Sequence, residues 1–120
     1  LPLIDRHKID INVYVVTSSE LFDMLPEDER ERIFPSAHQH QSMAITDFTF
    51  ATMMHWVRSD YGRAHSLHPF RHNHFLGSGT GAMVMAEAGL DGVSQFKAIR
   101  ALCRDARTFP DRRCNLRGEC

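Results

Sequence analysis

The sequence predicts an α/β fold, a three-layer αβα domain built on a mainly parallel sheet. Two observations lead there. Strand-like and helix-like stretches alternate along the 120 residues in the order β-α-β-α-β-α-α, and that alternation suits a parallel sheet with helices on both faces. A glycine-rich turn at residues 77–81, GSGTG, stands directly between the strand-like run HPFRHNHFL and a helix-like run. The domain is expected over residues 1–102, with the charged, aperiodic residues 103–120 as a loose C-terminal tail.

Residues 9–17 read IDINVYVVT, in which Ile9, Ile11, Val13 and Val15 alternate while Tyr14 and Val16 add β-forming residues. A buried strand is expected. Ser18 or Ser19 offers an N-cap oxygen to a short helix carrying Leu21, Phe22, Met24 and Leu25. Pro26 suits a first turn, so PEDERERIF is expected to restart as a helix with its acidic residues at the N-terminal end, closed by Pro35. SAHQHQ, residues 36–41, reads as a loop, and SMAIT as a short strand. Thr46 or Asp47 then caps a helix over residues 48–61, where Phe50, Met53, Met54, Val57 and Tyr61 share one face. Met53, Met54 and Val57 are expected in the core, with Arg58 and Asp60 exposed. Gly62 is read as the terminator of that helix and AHSLHPF as a returning strand. AMVMAEA is a helix, GLDG a turn, and VSQFKAIRAL an amphipathic helix with Val93, Phe96, Ile99 and Leu102 on one side. Met43, Met53, Met54, Met83 and Met85 are read as core filling.

Fourteen basic residues against fifteen acidic ones leave a net charge of −1, so the total selects no nucleic-acid or acidic-lipid partner. No apolar run approaches the ~18 residues of a membrane span, and LPLIDRHKID lacks the features of a signal peptide. A cytoplasmic protein with no membrane partner is expected. Cys103, Cys114 and Cys120 are odd in number and lack zinc-ribbon spacing. Reduced thiols are expected, with a Cys114 to Cys120 disulfide or a metal site as alternatives.

Two constellations carry possible chemistry. The glycine turn precedes a helix, where backbone N–H groups can approach an anion, and Arg71, His72 and His74 stand just before it. Arg71, His72, His74, Gly77, Ser78 and Gly79 are therefore the candidate anion-binding residues. The turn lacks a P-loop lysine and follows GxGxG rather than GxGxxG, so structural turn geometry competes with this assignment. Eight histidines include His38-x-His40, His65-x-x-His68 and His72-x-His74. Imidazoles are common metal ligands, but no HExxH or cysteine-containing set completes them, and no metal residue is assigned.

Three passages carry a resemblance to a known family. VVTSSELFDMLP, with Val15, Val16, Glu20, Leu21, Phe22, Asp23 and Pro26, is similar to a V-V-S-x-x-x-x-E-L-F-D pattern followed by proline. MAITDFTFATMMHWVRSDYGRAHSL and HFLGSGTGAMVMAEAGLDGVSQFKAIRAL follow in the same order. Together they resemble the transketolase C-terminal domain family, which includes the homodimeric pyruvate dehydrogenase first component. The resemblance implies the αβα fold without the family's first βα unit, and hence a fragment of a longer enzyme. It also implies a non-catalytic structural and assembly role in a thiamine-diphosphate-dependent enzyme of ketol transfer or 2-oxo acid oxidation. Thiamine diphosphate and Mg would be held by the parent enzyme and not by this segment, so no catalytic or cofactor-binding residue is assigned. The implied partners are the remaining domains or subunits of the parent, with a homo-oligomer expected. The alternative is a stand-alone module binding a small anionic ligand or regulator at residues 77–81, and a third possibility is a metal-binding protein.

Overall fold

Buried apolar side chains gather in two small clusters, and short helices rather than strands bring them there. The computed structural model describes residues 2–73 and 75–106. Among them lie α1 (Pro2–Arg6), α2 (Ser19–Asp23), α3 (Glu27–Ile33), α4 (Ser36–Gln41), a 3₁₀ turn (Phe50–Met53), α5 (Asp60–His65), α6 (Gly81–Glu87) and α7 (Gly92–Asp105). The described residues form an all-α structure with no sheet, and their one β-type pairing is an isolated parallel bridge between Ile45 and Leu67.

The three-layer α/β expectation is therefore corrected. Residues 9–17 carry the strand pattern but pair with nothing in a ladder, and Val13 and Val15 are 58% and 80% exposed instead of buried. Alternation reports which residues favour an extended backbone, whereas a strand also needs a neighbour to take its N–H and C=O groups. Neither expected neighbour supplies one. SMAIT contributes only the bridge residue Ile45, and AHSLHPF begins inside α5 and ends in a turn. The segment is instead tethered by Tyr14, whose ring lies 4.5 Å from that of Phe34 and whose hydroxyl stands 2.6 Å from His38 Nδ1.

Local helix signals fared differently. Ser18 accepts from Leu21 N–H as the cap of α2, and Glu27, Asp28 and Glu29 occupy the first turn of α3 behind Pro26. Pro35 both follows α3 and stands at the N-cap of α4, so SAHQHQ is helical rather than a loop. Glu31 reaches across that junction to the Ser36 N–H at 2.9 Å and its hydroxyl at 2.7 Å. Those two bonds, the backbone one first, hold the Glu31 carboxyl below its ordinary range.

The continuous helix expected over residues 48–61 is broken into the 3₁₀ turn and α5, with Ser59 capping the latter. The break rotates the apolar stripe. Val57 remains buried and Met53 packs on the first cluster, but Met54 turns outward at 47% exposure, while Arg58 and Asp60 are exposed as expected. Met54→Ala should accordingly change stability by less than about 1 kcal/mol in reversible urea unfolding. A loss above about 2 kcal/mol would restore the unbroken helix. Of the other methionines, Met43 packs on the second cluster, whereas Met83 and Met85 are exposed.

The first cluster joins Phe34, Ala44, Trp56 and Val57, flanked by Phe22, Phe50 and Met53; the second joins Leu67, Ala88 and Leu90, flanked by Met43, Leu76 and Ala98. Ser66 couples them from a fully buried position. Its hydroxyl donates to the Gly62 carbonyl at 2.8 Å and accepts from Ala44 N–H at 2.9 Å, while Leu67 N–H donates to the Ala44 carbonyl at 2.8 Å. Both capacities of the hydroxyl are used, as burial of a polar group requires.

Gly89 ends α6 with φ +68. Its N–H donates to the Ala86 carbonyl and Leu90 N–H donates to that of Met85, the bond pair of a Schellman cap. Leu90 is thereby turned into the second cluster, and Asp91 immediately caps α7 through Val93 and Ser94 N–H. The GLDG turn is present. α7 then runs through Asp105, three residues past the expected end of the domain at Leu102, so Cys103 lies partly buried on a helix. Residues 107–120, including Cys114 and Cys120, lie outside the described residues.

Candidate functional site

The proposed anion turn is occupied by the protein's own carboxylate. Residues 75–80 have no regular secondary structure, and Thr80 opens α6 by accepting from Met83 N–H. Gly77 N–H points at the Glu87 carboxylate, 3.1 Å from each oxygen. A negative group already sits where a ligand oxygen would bind. A Cβ on Gly77 would meet the same carboxylate at 3.3 Å, one on Gly79 would make ordinary contact with Met83 at 3.6 Å, and one on Gly81 would stand in open space. Gly89 is the glycine with positive φ, so left-handed backbone does not explain the glycines at 77, 79 and 81.

The other candidates diverge from that turn. Arg71 lies in the turn after Leu67, with its N–H on the His68 carbonyl at 3.3 Å, and both Arg71 and His72 are exposed. Ser78 is exposed beside Gly77 and Gly79; His74 lies outside the described residues. Arg71 lines a cavity with Leu67, Gly89, Ser94, Lys97 and Ala98, a lining that includes neither Gly77 nor Glu87. Lys97 and Ser94 escaped the sequence reading because they follow α7's spacing, which gives no sign of what faces the helix.

The histidines are spread among separate structural tasks. His38 meets Tyr14, and His65 joins two helices: its Nδ1 is 2.9 Å from the Tyr61 carbonyl and its Nε2 3.1 Å from Asp105. The Tyr61 hydroxyl donates to the Leu102 carbonyl across the same α5–α7 contact. Asp105 is held below the usual carboxylate range, first by Arg104 and then by His65. The His68 ring is pushed down, first by burial and then by the Arg71 charge. Among the described residues no group of three or more His, Cys, Asp or Glu could hold a metal ion.

These residues do not fit a thiamine diphosphate and magnesium centre. The carboxylate at Gly77 N–H would repel a diphosphate, and the described part of the chain gathers no ligand set for its metal. Among the described residues, no helix is long and apolar enough to cross a membrane. No protein-family model matches the chain, and no curated protein or solved structure matches it either.

Proposed function

We propose that this chain is a non-catalytic structural and assembly segment that completes its core against other polypeptide. The carrying observation is the imbalance of its apolar surface. Val15, Leu21, Met24, Phe48, Phe75 and Met83 are each 64–90% exposed, while the buried core consists of a few residues in two clusters. Scattered apolar residues are ordinary on a surface, but so many large ones beside so small a core favour an association surface. Residues 9–17, which form neither helix nor strand, add exposed Val13, Tyr14, Val15 and Val16.

The parent class comes from the three sequence passages alone: a thiamine-diphosphate-dependent enzyme resembling transketolase or the 2-oxo acid dehydrogenases, with the cofactor held by its other domains. The partners are then those domains or further copies of the chain. Calorimetric titration of the isolated chain with thiamine diphosphate and Mg should show no saturable micromolar binding. The coding sequence flanking the segment tests the parent class directly. A GDG-type cofactor motif upstream is expected; a start codon and a stop codon bracketing this segment would remove the parent enzyme from the account.

A further inference from the structure

The depression beside α7 is lined by two cationic residues, whereas Gly77 N–H in the glycine turn is bonded to the Glu87 carboxylate. It has a volume of about 330 Å³, and its described lining is Leu67, Arg71, Gly89, Ser94, Lys97 and Ala98. That size lies near the lower end of small-ligand pockets, and the space is a depression open to solvent, with Arg71 and Lys97 both exposed at it. Its two cations come from different elements: Arg71 from a turn whose next-but-one residue, Asn73, takes φ +55, and Lys97 from the second turn of α7. Among the described residues neither has an ion-pair partner. The carboxylate bonded to the lining residue Ser94 is that of Asp91, and it is engaged by Val93 N–H, Ser94 N–H and the Ser94 hydroxyl. Two cationic residues therefore line one space, and no acidic residue is part of its described lining.

Leu67 and Ala98 give the same cavity an apolar wall next to those charges. An arginine fork suits two oxygens of a phosphate, a lysine adds a point charge, and the wall shelters a small apolar substituent. The geometry points to a small phosphomonoester as the ligand of this cavity, with Arg71 and Lys97 holding the phosphate and Leu67 and Ala98 packing on its organic group.

Phenyl phosphate is the probe, titrated into the full chain while backbone amide resonances are followed, with inorganic phosphate and phenol as separate arms. Saturable binding tighter than for either arm is expected, with the Gly89 and Ser94 amides shifting most. Arg71→Gln and Lys97→Gln should each weaken it about tenfold, and Arg32→Gln, a charge on α3, should leave it unchanged. If a variant loses its helical signal, the amide map of the unmodified chain decides. Inorganic phosphate binding as tightly as phenyl phosphate would remove the apolar wall from the proposal. No saturation at concentrations on the order of 10 mM, shifts elsewhere, or an equal loss with Arg32→Gln would overturn it.

Discussion

Trp56→Ala is expected to cost about 3–5 kcal/mol of folding stability. The indole is 6% exposed, and its ring lies 4.8 Å from Phe22, 5.8 Å from Phe34 and 4.5 Å from His55. Through it α2, the end of α3 and the loop after the 3₁₀ turn meet. A domain's whole stability is typically about 5–15 kcal/mol, and so small a core leaves little reserve. The variant should have lost most of its helical circular dichroism at 25 °C. Trp56→Phe separates packing from polarity: it keeps an aromatic ring and removes an indole N–H that is buried without a partner, so a cost below about 1.5 kcal/mol is expected. A loss below about 1 kcal/mol for Trp56→Ala would show that Phe22 and Phe34 do not depend on it.

Gly62→Ala should have an effect of comparable size for the opposite reason, overpacking. Gly62 sits within α5, buried, and a Cβ there would collide with the Ser42 carbonyl oxygen and come within 2.8 Å of Val57 Cγ1. The first neighbour is backbone and cannot rotate away. Separating the strands of chain at 42 and 62 would also pull Ser66 from Ala44, the link between the two clusters. A cost of about 3 kcal/mol is expected from denaturant unfolding. Alanine has the higher helix propensity, so a neutral or stabilising result would mean that α5 does not pack against the chain at Ser42.

Gly62 also shows what was legible in the sequence and what was not. Its place at the end of an apolar stripe suggested a helix terminator, a local role, whereas its actual constraint is a contact with a residue twenty positions earlier. Local signals were readable for that reason: the Ser18 cap, the Pro26 restart, the GLDG turn and the helix after it depend on neighbours in sequence. Residues 9–17 depended on a distant partner strand, and the described residues offer none. The proposed anion site divides in the same way. Arg71 was singled out because it stands just before the glycine turn, whereas Lys97, which lines the same depression, was not, and the Glu87 carboxylate bonded to Gly77 N–H is ten residues on, at the end of a helix.

The central claim is that this chain leaves apolar surface for another polypeptide to cover. Sedimentation velocity at micromolar concentration tests it most directly, comparing the chain with a variant carrying Val15→Asp, Leu21→Lys and Met24→Lys, all at positions at least 67% exposed. The account predicts species larger than a monomer for the chain, shifted to monomer in the variant without loss of helical signal. A chain that sediments as a clean monomer across that range, indistinguishable from the variant, would contradict it.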